Sequence, residues 1–199
     1  MKIQGPDKII LARSKKEKQL RIFCDIDGVC SDFDKSACEI CDIDLEDKEV
    51  REHLKKGGRI EKYISDEEMW DRINDAGEDF WADMELLPWA KDLYNALEKE
   101  AGNLLAFLTS PSDNPVCAAG KVKWIKKHFD TKNFIITPRK HFCAGPNSIL
   151  VDDTQKKVDQ FIKHGGKAFL WPSPLAFEDG DKEVEKVIKD LLECIDEMA

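Results

Sequence analysis

Three apolar runs in this sequence lead directly into acidic or hydroxyl-bearing residues, and this pattern limits the possible folds more than any other feature. Ile22-Phe23-Cys24 leads into Asp25-Ile26-Asp27-Gly28, Leu104 to Leu108 into Thr109-Ser110, and Ile149-Leu150-Val151 into Asp152-Asp153. Short apolar runs of this kind are typical of buried strands in a parallel sheet. Because the carboxyl ends of parallel strands meet at one edge of the sheet, these polar residues are expected to form one site.

Strand-like and helix-like segments alternate after Pro88. The pattern predicts helices from Pro88 to about Glu100, Val116–Phe129, Gln155–His164 and Asp181–Met198, and strands at Leu104–Leu108, Phe134–Ile136, Ile149–Val151 and Ala168–Trp171. Alternation of this type favours parallel strands joined by right-handed crossovers. The predicted fold is therefore α/β, with a Rossmann-like parallel sheet.

The segment between the first strand and Pro88 has a different character, because it is charged and compatible with helices throughout. Ser65 is a helix N-cap candidate, with Glu68 as its capping-box partner. We therefore predict an N-terminal extension over residues 1–20, an α/β core made of 21–35 and 86–199, and a small helical cap over 36–85.

Composition and charge narrow the classes of function. The chain has 199 residues and a formal charge of −9, from 31 Lys and Arg against 40 Asp and Glu, which argues against an extended nucleic-acid surface. Its apolar runs are much shorter than a membrane span, and its start lacks the order of a secretion signal, so we expect no membrane association and a cytoplasmic protein. The seven cysteines are then expected to be reduced thiols.

The paired acids suit phosphoryl transfer, which needs a nucleophile, a proton donor for the leaving oxygen and positive charge on the phosphoryl oxygens. Asp25 can attack phosphorus while Asp27 acts first as acid and then as base. Mg²⁺ prefers oxygen ligands, and Asp25 with one or both of Asp152 and Asp153 would suffice. Thr109 and Ser110 offer donors to a phosphate, and either Lys140 or Lys121 offers the cation.

At this point the sequence resembles the haloacid dehalogenase superfamily, and within it the 5′(3′)-deoxyribonucleotidases. The resemblance covers residues 21–35 and 80–175 and is weak across the predicted cap. The motifs that carry it are Asp27-Gly28-Val29-Cys30-Ser31-Asp32-Phe33, Thr109-Ser110-Pro111, the helix from Lys121 to His128, Thr137-Pro138-Arg139-Lys140 and Leu150-Val151-Asp152-Asp153.

The resemblance implies a role for each matching residue. Asp25 would form an aspartyl-phosphate, and Asp27 would be the acid/base with its backbone carbonyl on Mg²⁺. Thr109, Ser110 and Lys140 would bind the phosphate, with Lys121 as the alternative lysine, and Asp152 and Asp153 would complete the metal site. Aromatic residues would bind the base, and the candidates are Phe33, Trp70, Phe80 and Trp81, although an aromatic stripe at helical spacing is more often part of the core.

The expected activity is therefore magnesium-dependent hydrolysis of a phosphate monoester, with nucleoside monophosphates as the favoured small-molecule partners. A phosphatase for another small phosphate ester, or for a nucleic-acid 3′ phosphate, is the alternative among enzymes. A non-catalytic phospho-Asp signalling or binding module, such as a receiver domain, is the alternative from another class. Receiver domains, however, place the acid pair at the first strand and lack an insertion after it. The sequence also leaves a homodimer open.

Overall fold

The structure is a computed structural model that describes residues 19–177 and 180–198. Its centre is a parallel sheet of strands β1 (Arg21–Cys24), β2 (Leu105–Thr109), β3 (Phe134–Ile136), β4 (Ser148–Asp152) and β5 (Lys167–Leu170), in the order β3-β2-β1-β4-β5. The predicted α/β, Rossmann-like fold is confirmed. The predicted extension over residues 1–20 lies almost entirely outside the described residues.

Strand β1 is the central strand, and its position decides where the site forms. Cys24, its last residue, pairs with Phe107 of β2 on one side and with Val151 of β4 on the other. The inner positions of these strands are buried, as expected for a sheet covered on both faces. The chain therefore leaves β1, β2 and β4 at neighbouring points on the same edge of the sheet.

Four helices of the described chain follow the sequence pattern after residue 86. They are α5 (Ala90–Ala101), α6 (Pro115–Phe129), α7 (Gln155–Lys163) and α8 (Asp181–Met198). Helix α5 begins at Ala90 rather than at the predicted Pro88, and helix ends commonly differ by this amount. Asn114 caps α6 by accepting from the amide of Val116, and Pro115 occupies its first turn.

Four further α-helices and one 3₁₀-helix (Ile60–Lys62) lie between β1 and α5. The α-helices are α1 (Phe33–Ile40), α2 (Lys48–Lys55), α3 (Asp66–Ala76) and α4 (Glu78–Ala82). Ser65 caps α3 as predicted, because its hydroxyl accepts from the amide of Glu68 at 3.2 Å. The predicted capping-box role of Glu68 is wrong, since its carboxylate accepts from Arg72 at 2.9 Å. An (i, i+4) ion pair therefore replaces the second half of the box.

The chain enters and leaves this helical segment at adjacent points. The amide of Asp32 donates to the carbonyl of Glu85 at 3.0 Å, and the amide of Leu87 donates to the carbonyl of Cys30 at 2.9 Å. The two connections thus form a short antiparallel ribbon beside the end of β1. Among residues 19–177 and 180–198, no helix is long and apolar enough to cross a membrane.

Candidate active site

The polar residues that follow β1, β2 and β4 meet at one edge of the sheet, as the sequence predicts. Asp25 follows β1 directly, and its amide donates to the carbonyl of Val151 in β4 at 2.9 Å. Thr109 ends β2 and Asp152 ends β4, and both are fully buried. Asp25 itself is 1% exposed, so water cannot compensate the negative charge of its carboxylate and protein groups must do so.

Asp25 receives that compensation from two lysines and one amide. Its Oδ2 lies 2.6 Å from Nζ of Lys140 and 3.5 Å from Nζ of Lys157, and its Oδ1 accepts from the amide of Ile26 at 2.8 Å. Burial alone would raise the pKa of Asp25, but the ammonium groups of Lys140, Lys157 and Lys121 outweigh it and hold the pKa below its usual range. Asp25 is therefore ionised, as a nucleophilic carboxylate must be.

Asp25, Asp152 and Asp153 form a carboxylate cluster in which one oxygen from each residue lies within 4.8 Å of the others. Burial, and then the charge of Asp25, raises the pKa of Asp152 to about 6 and that of Asp153 to about 7. Three oxygen donors with too little positive charge around them fit a hard divalent cation such as Mg²⁺. The carboxylate of Asp27 is not part of this cluster, and its predicted metal contact through the backbone carbonyl stays a prediction.

Gly28 lets the chain turn tightly over this cluster. Its φ is +73°, and a Cβ added there would lie 2.1 Å from Oδ2 of Asp153. Only glycine fits both the left-handed backbone and the close approach of the carboxylate. The turn after β1 and the acids after β4 therefore depend on each other for their positions.

Asp27 lies beside a second, separate lysine. Nζ of Lys121 lies 2.5 Å from Oδ2 of Asp27 and also donates to Oγ1 of Thr109 at 2.9 Å and to the carbonyl of Ser110 at 2.7 Å. These acceptors use the three hydrogens of an ammonium group. Oδ1 of Asp27 is buried and has no hydrogen-bond partner in the described part of the chain. That oxygen is available to exchange a proton with a bound substrate.

The structure thus brings both candidate lysines to the site, where they serve different acids. Lys140 joins Asp25 to Asp152, each at 2.6 Å, whereas Lys121 joins Asp27 to Thr109. Lys121 is fully buried, whereas Lys123, Lys126 and Lys127 of the same helix lie exposed. Among the described residues, the side chain of Ser110 makes no hydrogen bond with the other site residues, and only its carbonyl oxygen is used.

The predicted base-binding aromatics form one group next to Lys121. The ring of Trp81 stacks with Phe33 at 5.9 Å and 22° and with Trp70 at 6.5 Å and 18°, and Phe80 meets it edge-on at 5.0 Å. Trp81 is 2% exposed, so it acts mainly as core, while Phe33, Trp70 and Phe80 are half-buried. Nζ of Lys121 lies 5.0 Å from the centre of the Trp81 ring, which connects the aromatic group to the acids.

A family model decides what kind of protein this is. The model described as "5' nucleotidase, deoxy (Pyrimidine), cytosolic type C protein" matches residues 18–180. The chain belongs to this family. It is accordingly a phosphatase of the haloacid dehalogenase superfamily, as the motifs indicated. No curated protein sequence matches the chain.

Solved structures agree with the fold of this nucleotidase-family chain. One is a haloacid dehalogenase family hydrolase from Deinococcus radiodurans R1, solved with bound phosphate and sodium. It is 12% identical in sequence with a TM-score of 0.51, and the match covers 92% of this chain and 97% of the hydrolase. CbbY from Rhodobacter sphaeroides, in complex with phosphate, is 14% identical with a TM-score of 0.50, covering 79% of this chain and 88% of its own. At such low identity these structures support the fold only.

Sequence reasoning missed one charged residue of this nucleotidase-family site. Lys157 lies in the first turn of α7, five residues after Asp152, and reaches Asp25. Burial lowers the pKa of Lys157, but Asp25, Asp152 and Asp153 more than reverse this effect and hold the pKa above its usual value. Its position just after the Asp pair, at the start of a predicted helix, was the available signal.

Proposed function

We propose that this chain is a magnesium-dependent phosphatase that hydrolyses nucleoside monophosphates through an aspartyl-phosphate on Asp25. The single observation that supports it best is that Asp25 and Asp27 differ in the contacts of their carboxylates. Asp25 is held ionised by ion pairs with two lysines, while Oδ1 of Asp27 is buried and makes no hydrogen bond among the described residues. An ionised carboxylate suits attack on phosphorus, and an uncommitted carboxyl oxygen suits proton transfer.

In the first step, an oxygen of Asp25 forms a bond to phosphorus while the bond from phosphorus to the alcohol oxygen breaks. Asp27, entering as the protonated acid, gives its proton to that leaving oxygen. In the second step, Asp27 takes a proton from water, and the water oxygen displaces Asp25 from phosphorus. Inorganic phosphate leaves, and both aspartates regain their starting states.

The remaining charged groups support these steps electrostatically. Magnesium, held by Asp25, Asp152 and Asp153, would supply positive charge to the phosphoryl oxygens. Thr109 offers a hydroxyl and Lys140 an ammonium group for the same oxygens, and Lys121 keeps Asp27 oriented by its 2.5 Å contact. The two structural neighbours named above were each solved with bound phosphate, which agrees with a phosphate ligand for this fold.

The proposed substrate class depends on the aromatic group and the helical cap over residues 36–85. Phe33 and Trp70 both stack on the Trp81 ring and are half-buried, so each keeps part of its aromatic surface accessible. A nucleobase that stacks on such a surface gains about 1–3 kcal/mol. The family description, a deoxynucleotidase, favours nucleotides over other phosphate esters.

Release of phosphate from a panel of nucleoside monophosphates and from deoxyribose 5-phosphate, with Mg²⁺ or with EDTA, tests the proposal. We expect magnesium-dependent release, abolished by Asp25→Asn and reduced at least about 100-fold by Asp27→Asn. Asp113→Asn, which removes one charge from an exposed loop position, is the matched control and should retain activity.

Two further outcomes separate the parts of the proposal. Equal rates on nucleotides and on deoxyribose 5-phosphate would retain the phosphatase and reject the nucleotidase. Full activity in EDTA, or in both aspartate variants, would reject the mechanism itself. Phe33→Ala should raise KM for nucleotides about 5- to 100-fold while leaving that for deoxyribose 5-phosphate unchanged.

A further inference from the structure

Lys157 occupies a position that the proposed catalytic steps do not use. It lies in the first turn of α7, and its Nζ is 3.5 Å from Oδ2 of Asp25. Its side chain is 32% exposed, in contrast to Lys140, which is 3% exposed. Lys157 therefore reaches the carboxylate cluster from a side that is open to solvent.

The charges around the carboxylate cluster show why this lysine matters. Asp25, Asp152 and Asp153 bring three carboxyl groups together, and within the described chain the ammonium groups in contact with them are those of Lys140 and Lys157. The next acid, Asp27, is already paired with Lys121. With both lysines in place, three ionised carboxylates would keep a net charge of about −1, and without Lys157 about −2.

The two lysines differ in how firmly they are held. Lys140 bridges Asp25 and Asp152 with two contacts of 2.6 Å inside the protein. Lys157 has one longer contact with the cluster and a flexible, partly solvated side chain. An ammonium group on a long, flexible stem regains hydration when it moves into water, which offsets part of the attraction it loses. Lys157 is thus the cation that can leave when another one arrives.

We infer that Lys157 is a built-in counter-cation of the metal site, which compensates the carboxylates in the metal-free protein and is displaced from Asp25 when Mg²⁺ binds. This inference rests on the proposed use of magnesium at this site. Ions of the same sign cannot share the cluster without repulsion, so Lys157 and Mg²⁺ compete for the same negative charge. Lys157 therefore lowers magnesium affinity and stabilises the protein that holds no metal.

Calorimetric titration of Mg²⁺ into the substrate-free protein measures this competition without any turnover. Lys157→Met keeps most of the side-chain volume and removes the charge, and we expect its Kd for Mg²⁺ to fall about tenfold below the wild-type value. Lys157→Arg keeps the charge and should bind within about threefold of wild type. Lys156→Met is the matched control, because it removes the same charge from the neighbouring, exposed position of α7 and should not change the Kd.

Thermal unfolding provides a second measurement on the same variants. Without metal, Lys157→Met should melt below wild type, because the carboxylates lose their counter-charge. With saturating Mg²⁺ this gap should close, so that magnesium raises the Tm of Lys157→Met by more than it raises that of wild type. Lys156→Met should show the wild-type increase.

The outcomes distinguish this inference from the proposed function. If wild type binds Mg²⁺ and Lys157→Met binds it equally or more weakly, the counter-cation role is overturned while the magnesium site stands. An equal gain in Lys156→Met would show a general effect of net charge and would also overturn it. If wild type binds no Mg²⁺, both this inference and the magnesium dependence of the proposed function fail.

Discussion

At the scale of single residues, the acids of the site differ in how their charge is compensated. Asp25 contacts two ammonium groups, Asp27 contacts one, and Asp153 makes no ion pair with a lysine within the described chain. The pKa of Asp25 is accordingly lowered, whereas that of Asp153 is raised to about 7 by burial and by its acidic neighbours. The contacts with lysines, rather than the type of acid, therefore set the pKa of Asp25 apart from that of Asp153.

These residues also show what the sequence can predict. Asp25, Thr109 and Asp152 could be predicted because each follows an apolar strand, and strand ends meet whatever the details of packing. Lys121 and Lys157 lie on helices, where neighbouring positions differ by about 100° in direction, so small changes in helix placement decide whether a side chain faces the site. Lys121 was therefore only an alternative to Lys140, and Lys157 was missed.

Asp34 provides a residue-scale prediction about pH. It lies in the first turn of α1, where burial, followed by the charges of Asp32, Glu61 and Asp27, raises its pKa from 3.8 to about 6. The folded state thus binds more protons than the unfolded state between about pH 4 and 6, and the free energy of unfolding falls as the pH rises through this window. Asp34→Asn should remove the part of this fall that Asp34 contributes.

The expected gain from Asp34→Asn at pH 7 is about 1–2 kcal/mol in the free energy of unfolding. The pKa difference allows about 3 kcal/mol at most, and the lost charge at the start of α1 offsets about 0.5–1 kcal/mol. Urea unfolding at pH 4, 5, 6 and 7 measures it, with Asp71→Asn as the control, because Asp71 is an exposed acid on α3. Parallel pH curves for Asp34→Asn and wild type would contradict the prediction.

At the scale of secondary-structure elements, the core was more predictable than the helices before it. The strand Phe134–Ile136 and the helix Asp181–Met198 lie where the pattern placed them, because alternating strands and amphipathic helices leave clear periodicities. Helices α1 and α2 are eight residues each and were recognised only as a helical tract. Their starts depend on Asp32 and Asp47, which cap them through side-chain contacts that are weak signals in an acidic sequence.

The contact between α4 and α6 carries the element-scale prediction. A Cβ added at Gly120 of α6 would lie 2.5 Å from both the carbonyl oxygen of Glu78 and Cβ of Trp81. Alanine would favour the helix by about 1 kcal/mol, but overpacking against α4 costs about 1–3 kcal/mol. We expect Gly120→Ala to lower the free energy of unfolding by about 1 kcal/mol.

Urea unfolding of Gly120→Ala measures this change. Ala119→Val adds volume at the neighbouring, exposed position of the same helix and should cost less than about 1 kcal/mol. Gly120→Ala should also lower activity, because Lys121 follows directly and α4 carries Trp81. A more stable Gly120→Ala protein would show that α4 can move away from α6 without cost.

At the scale of the whole molecule, the helical segment contacts the core at several places. Two of them lie beside the site: the ribbon in which Asp32 pairs with Glu85 and Leu87 with Cys30, and the packing of α4 on α6. The sequence indicates an insertion after the first strand but not which part of the core it packs against. That packing depends on Gly120, where the absence of a Cβ lets α4 approach α6. The same contact places the aromatic group beside Lys121.

From this attachment we predict that ligand binding at Asp25 and Asp27 also stabilises the helical segment, and that Lys121 transmits the effect. Its ammonium group contacts Asp27, Thr109 and the carbonyl of Ser110, and it lies 5.0 Å from the Trp81 ring centre. Adding Mg²⁺ and orthovanadate, a phosphate analogue, should therefore slow amide exchange in α4 as well as in the turn after β1. Hydrogen–deuterium exchange with mass spectrometry measures both segments in one experiment.

Lys121→Met separates this route from general stabilisation. If the variant still binds the analogue, the turn after β1 should remain protected while α4 exchanges as in the free protein. Helix α8 is the internal reference, since its buried residues Val184, Leu191 and Ile195 pack in the core and should exchange alike in every state. Protection of α4 in Lys121→Met equal to that in wild type would mean that the ribbon or the packing of α4 on α6, and not Lys121, couples the helical segment to the site.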